Sequence, residues 1–510
     1  MPPAVRLRFH HRLAIALVLA VASAATAGAQ ETPATLTLEE AIALARRNNP
    51  DFLAQRNDER EADWAVRQAY GALLPGASVS LGAQYQGKGS PRFGIFTAED
   101  IGVGQTPSYL SSSYSIGLDY QLSAASLLRP GQERANRRAT VARIDAAEFD
   151  LAAAVTRQYL AVLRARDGVA LTRQELEQAE ENLKLAEARV AVGAAIALEA
   201  KQAAVERGRA EVAVIEAENL LRTERLRLVE QIGIQLDRDV TLTSTFDVFE
   251  PTWDEAELIA AAIDGHPQLR ALRAAENAAS TSVKVAKSQY LPALDFSVGW
   301  SGYTRQAMDD GYIIDQARDQ MEARRQNCMA ANELASRLNP PLPPQDCSGF
   351  QLTAEDEAAL LASNDVFPFD FTRQPFGARL SISLPIFNGF TRERQVEAAR
   401  VAEEDAEYRL RSEELRIRTN VATAYQNLRT AYRTVELERR NKELAAEQVE
   451  LARERYRVGE VSFLDLLEAE TLRARADRAY LVALYSFHEG LANLEAAVGR
   501  DLDPSFGRPE

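Results

Sequence analysis

The sequence predicts a mainly α-helical protein that is duplicated along the chain and carries four β-strands suited to a membrane. Three observations lead to this fold class: long helices with heptad spacing, an internal repeat over most of the chain, and short segments of apolar–polar alternation. At 510 residues the chain is long enough to hold two copies of such a unit.

Residues 1–29 have the features of a secretory signal peptide. Three arginines precede an apolar run at residues 13–22, and Ala27-Gly28-Ala29 offers a small-residue cleavage site. An uncleaved membrane anchor is the alternative, but the apolar run is short for a membrane span. We therefore expect a mature chain that begins near Gln30 and leaves the cytoplasm.

The charge of the mature chain excludes some classes of function. Loss of the three signal arginines leaves 56 basic against 74 acidic side chains, a formal charge of −18, which argues against nucleic acid as a partner. The remaining histidines, His266 and His488, lie on separate helical segments, so neither a zinc centre nor histidine-based catalysis is indicated. We predict no enzymatic activity and no cofactor.

The two halves of the chain align with each other. Asn49-Pro50 matches His266-Pro267 at an offset of 217, and Val192-Gly193 matches Val458-Gly459 at an offset of 266. The larger second offset requires an insertion in the second copy. The predicted segments are a first repeat at 30–240, a linker at 241–253, a second repeat at 254–499 containing the insertion 304–375, and a tail at 500–510.

Each repeat is predicted to contain an antiparallel helical hairpin. Apolar residues spaced by three and four indicate long helices at about 129–191 and 390–457, followed by returning helices at about 197–232 and 463–498. The hairpin tips fall at 192–193 and 458–459. Gly459 can adopt the left-handed conformation that ends a helix, and Ser462 can cap the next helix. A fibrous soluble coiled coil would account for the helices equally well.

Strict alternation predicts four strands, at about 77–87, 112–123, 293–303 and 376–387. This is the transmembrane β-strand pattern, with apolar residues toward lipid and polar residues toward a lumen. The predicted lumen side includes Asp119, Asp295 and Arg379. A half-buried sheet in a soluble domain is the alternative. The small, mostly uncharged polar faces and the lack of a helix to cover the apolar faces favour the membrane.

Four strands cannot form a closed barrel, and lipid cannot satisfy free strand edges. Several identical chains must then contribute strands to one ring, although the sequence does not count the subunits. The predicted insertion and the shorter 88–111 loop would lie at the cell surface. The insertion contains Cys328 and Cys347, which are most simply joined in a disulfide, with two unpaired thiols as the alternative.

Two carboxylates just after the second tip form the candidate functional site. Asp465 and Glu468 are three residues apart on one helix face, and Glu199 occupies the position of Asp465 in the first repeat. Structurally, these are first-turn carboxylates favoured by the helix dipole. Functionally, a ring of identical chains would bring them together as an acidic constriction that favours cations.

The chain resembles the TolC-type outer-membrane efflux proteins, the outer membrane factor family. The resemblance extends from about Leu36 to Gly499 and is carried by Leu-Thr-Leu-Glu-Glu-Ala-Ile at 36–42, by Leu-Pro-Ile-Phe-Asn-Gly at 384–389 and, most specifically, by the segment 456–468. It implies a homotrimer with a 12-strand barrel in the outer-membrane lipid and a helical barrel in the periplasm.

The resemblance also implies a function and partners. Such a protein is a passive exit duct of a tripartite efflux pump or a type I secretion system, and an inner-membrane transporter supplies the energy. The tips Val192, Gly193, Val458 and Gly459 would dock onto a periplasmic adaptor. A periplasmic coiled-coil scaffold or surface adhesin without a pore is the alternative. The sequence identifies neither the cargo nor the adaptor.

Four site residues take their roles from this resemblance. Asp465 and Glu468 are similar to the family's paired acidic residues at the periplasmic end, Tyr456 to a tyrosine that holds the tip closed, and Glu199 to its acidic partner. Val461 departs from the family pattern, in which an arginine can join this network. We therefore expect the closed tip to be held differently here. The cysteine-bearing insertion is not a general feature of the family.

Overall fold

The computed structural model describes residues 35–89, 92–97, 107–235, 240–340 and 342–502. The predicted signal peptide and residues 503–510 of the predicted tail lie outside these ranges. The chain divides into two compact units. The helical unit comprises the residues up to Ala62, Arg137–Glu276 and those from Asp405 onward, and the strand unit comprises Asp63–Asn136 and Asn277–Glu404.

Most of the described chain is α-helical. The helices are α1 Leu38–Asn48, α2 Pro50–Gly71, α3 Ala124–Ala191, α4 Ala197–Ile232, α5 Glu255–Gly265, α6 Pro267–Lys287, α7 Asp310–Ser336, α8 Ala354–Asn364, α9 Thr391–Val458 and α10 Phe463–Val498. The strands are β1 Thr35–Leu36, β2 Gly76–Gln86, β3 Arg92–Phe93, β4 Phe96–Thr97, β5 Tyr109–Ser123, β6 Thr241–Leu242, β7 Ala293–Ala307, β8 Thr372–Arg373 and β9 Gly377–Ser383.

The duplication is visible in the helical unit. Helices α3 and α9 each have 68 residues, and the returning helices α4 and α10 each have 36. Each repeat has an apolar core around a buried tyrosine, and the core of the first repeat also includes Tyr485 of α10. Tyr159 donates to the main-chain oxygen of Leu36 at 2.8 Å, and its repeat equivalent Tyr425 donates to the main-chain oxygen of Trp253. A buried hydroxyl therefore bonds each long helix to the segment just before a short helix, α1 in the first repeat and α5 in the second.

The returning helices end in the same way. Gly233 and Gly499 both take left-handed conformations, with φ values of 83° and 86°, and donate back to the last helical turn. A Cβ at Gly233 would lie 2.4 Å from the main-chain oxygen of Asn48, and one at Gly499 would lie 2.9 Å from His266. These helices therefore stop against the segments that precede α2 and α6, which requires glycine.

The strand unit is built on an antiparallel sheet. The order is β2-β5-β7, with β9 and the short β8 both paired to the far side of β7. Residues directly opposite one another share a face, and Val79, Ile116 and Trp300 form one such row across three strands. The register thus brings all four alternating patterns into phase.

One face of this sheet is apolar and uncovered over most of its length. We call it the outward face, and its large side chains remain solvent-accessible in the single chain. They include Val79, Leu81, Tyr85, Ile116, Trp300, Leu380 and Ile382. The opposite, inward face carries serines, glycines and a few charged residues. In the part of the chain that the structure describes, no helix has the length and apolar character of a membrane span.

The structure corrects several predicted boundaries. Helix α3 begins at Ala124 rather than near 129, because Ser123 and Ser126 exchange hydrogen bonds of 3.1 and 2.9 Å that cap the helix ahead of Pro130. Strand β9 ends at Ser383 rather than near 387, where Pro385 has no N–H to offer. Strands β5 and β7 are longer than predicted at their loop ends, so the insertion begins after Ala307.

The insertion is an ordered, partly helical segment. It contains α7 and α8, which the sequence analysis did not predict, and Arg318 of α7 forms an ion pair with Glu357 of α8 at 2.6 Å. Cys328 and Cys347 are joined in the disulfide that the sequence predicts. The bond links α7 to the proline-rich segment after it.

Candidate functional site

The two hairpin tips have the same main-chain geometry. Gly193 and Gly459 take left-handed conformations with φ values of 77° and 86°. In the second tip Glu460 N donates to Arg455 O at 2.9 Å, and in the first Ala194 N donates to Arg189 O at 2.8 Å. These bonds satisfy the last free carbonyls of both long helices. Val192 and Val458 are 79% and 67% exposed, so each tip presents an apolar side chain to solvent.

The tips are joined through Tyr456, which is only 2% exposed. It lies in a small apolar cluster drawn from all four hairpin helices and including Ala186, Ala203, Phe463 and Leu466. Its hydroxyl donates to a carboxylate oxygen of Glu199 at 3.1 Å, which links α9 to the first turn of α4. The predicted pairing of these two side chains is present in the structure.

Arg189 completes this contact from the opposite side. Its guanidinium lies 4.3 Å from the centre of the Tyr456 ring and donates to the main-chain oxygen of Tyr456 at 2.5 Å. Burial raises the pKa of the Tyr456 hydroxyl, and the hydrogen bond to Glu199 raises this pKa further. The phenol therefore remains a donor at ordinary pH. We call Arg189, Glu199 and Tyr456 the tip latch.

The sequence did not indicate Arg189 as a site residue. Val461 packs against the apolar tip cluster, and the cation that contacts Tyr456 comes from the first hairpin. The repeat offset of 266 pairs Arg189 with Arg455 in the second copy. An arginine at the same position in the last turn of both long helices is the sequence feature that could have indicated Arg189.

Asp465 and Glu468 do not take part in the tip latch. Asp465 accepts from the Ser462 amide at 2.8 Å and from the Ser462 hydroxyl at 2.7 Å, forming a capping box at the start of α10. The hydrogen bonds from Ser462 hold the pKa of Asp465 below its usual range. Glu468 lies one turn further along and is exposed. Asp465 therefore has a structural role at the start of α10, and the side chain of Glu468 is exposed to solvent in the single chain.

Further along the hairpins, polar side chains link α3 to α10. Tyr485 donates to a carboxylate oxygen of Asp167 at 2.6 Å. Closer to the tip, Glu470 accepts from Asn182 at 2.5 Å and lies 3.4 Å from Arg453. Burial raises the pKa of Glu470, which the nearby Arg453 partly offsets. The two hairpins are thus linked at several heights, with the tip latch as the last link.

The residues predicted for a barrel lumen share the inward face of the sheet. Asp119 lies opposite Ser297, which in turn lies opposite Arg379, so these residues form one row across β5, β7 and β9. Asp295 lies in the next row, opposite Gln121 and Ser381. The inward face therefore carries a few charged side chains, of both signs. Among the described residues, no group of three or more His, Cys, Asp or Glu could hold a metal ion.

An apolar, uncovered sheet together with paired helical hairpins defines a class of protein, that of outer-membrane channels. A sequence profile described as "Outer membrane efflux protein" matches residues 41–233 and 346–500. The chain belongs to this family, which consists of channel proteins of the outer membrane and not of enzymes.

Individual relatives agree with this assignment. The pyoverdine export outer membrane protein OpmQ of Pseudomonas aeruginosa is 28% identical over 281 residues, which is 53% of this chain and 57% of OpmQ, so the match spans little more than half of that relative. The fold is similar to the CmeC outer membrane channel of Campylobacter jejuni, with a TM-score of 0.67 and 15% identity over 92% of this chain and 87% of that one. The open-state MtrE outer membrane channel of Neisseria gonorrhoeae gives a TM-score of 0.64 and 19% identity over 92% and 90%.

Proposed function

We propose that this chain forms, as a homotrimer, a passive outer-membrane exit duct for a tripartite efflux pump or a type I secretion system. The observation that carries the proposal is the open sheet. Its register keeps one face apolar and uncovered, and its outer strands, β2 and β9, each have one unpaired edge among the described strands. Lipid accepts apolar side chains but not free backbone groups. Sister chains can satisfy those edges by closing a 12-strand barrel.

The hairpins support the periplasmic part of the proposal. In one chain α3 and α10 are linked by ion pairs and hydrogen bonds, among them the Arg478–Glu175 pair at 2.5 Å. Exposed apolar residues remain on the other helices, for example Leu226 on α4 and Leu444 on α9. Neighbouring copies would cover such residues in a helical barrel. The exposed valines of the tips would then meet the periplasmic adaptor.

The tip carboxylates are proposed as a constriction at the closed end. Around a three-fold axis, three copies of Glu468 and Asp465 would form a ring that favours cations. Asp465 is the third residue of the capping box and accepts from Ser462. The amide oxygen of asparagine can accept the same hydrogen bonds, so Asp465→Asn with Glu468→Gln removes charge and keeps an acceptor for Ser462. The double variant should show higher conductance or weaker block by divalent cations in a planar bilayer. Unchanged conductance and unchanged block would remove the constriction from the proposal.

The duct itself is tested by extraction and conductance. The purified protein should require detergent for release from outer membranes and should produce discrete conductance steps in a planar lipid bilayer. Release by a salt wash with no conductance would favour the scaffold or adhesin alternative. The name of the relative OpmQ makes pyoverdine the first compound to test for export, by its loss from the medium of a deletion strain.

A further inference from the structure

The outward face of the sheet changes character near its loop end. Along β7 its residues stay apolar from Leu294 to Gly302, a span of nine residues. This is close to the ~9–11 residues that a tilted transmembrane strand needs. The next row of this face carries two hydroxyls. They are contributed by Ser112 and Thr304, whose side-chain oxygens lie 2.7 Å apart.

These hydroxyls are covered by a short piece of the insertion. We call residues 366–371 the strap. The hydroxyl of Ser112 donates to the main-chain oxygen of Pro368 at 2.6 Å, and the amide of Phe367 donates to the side-chain oxygen of Gln306 at 2.9 Å. Thr304 is only 1% exposed as a result. The strap thus lies against the outward face and not against the inward one.

The strap is rich in aromatic side chains at this height. Phe371 packs edge-on against Tyr114 with ring centres 4.9 Å apart, and just below it Trp300 and Phe376 lie 5.0 Å apart. Phe369 follows Pro368 in the turn at 367–369 and is 80% exposed. This phenyl ring is therefore open to solvent on a segment that hydrogen bonds anchor to the outward face, where it can meet an apolar partner.

We propose that the strap binds the lipid surface at the outer boundary of the membrane, with Phe369 inserted between the lipid headgroups and the upper acyl chains. Buried hydroxyls are costly in hydrocarbon unless paired, and the strap pairs them where the lipid-compatible stretch ends. Aromatic side chains favour this interface because an apolar ring can rest at the level of the headgroups. The insertion thereby fixes the depth of the sheet in the membrane from outside the barrel wall.

This inference rests on the proposed membrane placement, and one experiment separates the two. The only native cysteines form a disulfide, so a single introduced cysteine is the only free thiol. Three variants are labelled with an environment-sensitive fluorophore: Phe369→Cys on the strap, Leu81→Cys on the outward face, and Gln84→Cys on the inward face. Each is reconstituted in phosphatidylcholine–phosphatidylglycerol vesicles with nitroxide lipids quenching near the headgroup or deep in the acyl region.

We expect the label at 369 to be quenched by the shallow nitroxide more than by the deep one, and the label at 84 by neither. Quenching at 81 without quenching at 369 would overturn the strap proposal and leave the duct intact. Deep quenching at 369 equal to that at 81 would also overturn it. Absence of quenching at both 81 and 369 would contradict the membrane placement itself. As a second reading, Phe369→Trp should add tryptophan emission that brominated lipids quench; no added quenching would contradict the strap proposal.

Discussion

Removal of one hydroxyl should loosen the closed tip. Tyr456→Phe keeps the buried ring and its contact with Arg189 but deletes the 3.1 Å hydrogen bond to Glu199. A hydrogen bond to a charged group contributes about 1.5–3 kcal/mol, and the partial exposure of Glu199 argues for the lower limit. Because opening of the proposed duct would break this bond, a loss of about 1.5 kcal/mol shifts the closed–open equilibrium of each chain's tip about tenfold toward the open form. Single-channel recordings in planar bilayers should show a matching rise in open probability.

A second tyrosine provides the matched control. Tyr485 donates to Asp167 at 2.6 Å between the same two hairpins but far along the chain from the tip turns. Tyr485→Phe deletes an equivalent hydrogen bond, so it should lower thermal stability and leave the open probability unchanged. The reasoning is refuted if Tyr456→Phe leaves the open probability at its original value, or if both variants raise it equally.

Three further predictions concern stability. Burial raises the pKa of Glu495 from 4.5 to about 7, so ionisation of this side chain opposes folding. The free energy of unfolding is therefore at its full value, as far as this group is concerned, below pH 4.5. It falls as the pH rises through 7, by at most roughly 3 kcal/mol. Glu495→Gln should therefore gain melting temperature relative to the unchanged protein between pH 5 and pH 8, and parallel curves would contradict this. Gly233→Ala should cost roughly 1–2 kcal/mol or more, because Gly233 has a left-handed φ and the new Cβ would lie 2.4 Å from a main-chain oxygen. As a control, Gly208→Ala should not destabilise the protein, because no atom lies within 4 Å of its new Cβ. Equal melting temperatures for the two variants would exclude the stated cause. The disulfide between Cys328 and Cys347 closes a 19-residue loop, which stabilises the folded insertion by roughly 3 kcal/mol. Replacement of both cysteines by serine should therefore accelerate proteolysis within the insertion and leave conductance the same. Unchanged proteolysis would show that the disulfide does not hold the insertion.

The helical hairpins were predictable because their determinants are local. Heptad spacing gives the helices, and Gly459 and Ser462 mark the turn and the cap without reference to the rest of the chain. The strands were predictable for the same reason, since alternation with period two is visible within ten residues. Their ends were not. Strand β7 continues to Ala307 because its last residues pair with the start of β5 and the side chain of Asn364 bonds the main chain of Ala307. Both partners are distant in sequence.

The site was predictable in part. The sequence suggested Tyr456 with Glu199, and the repeat offset located the first-hairpin carboxylate. It did not give Arg189, because a cation–ring contact between two hairpins depends on how the helices pack. It also did not give the Asp465 cap, although Ser-x-x-Asp before an apolar run is a known capping signal. The sequence did not indicate the helices of the insertion, because α7 buries only Cys328 and α8 buries no residue, so neither shows the apolar stripe of a packed helix.

The most direct test of the account is the mass of the detergent-solubilised particle, measured by native mass spectrometry after detergent removal. The described strands leave the sheet of one chain open at both edges, so sister chains must complete it, and the proposed homotrimer gives a particle of three chains. A monodisperse particle of a single chain, with its apolar sheet intact, would contradict it.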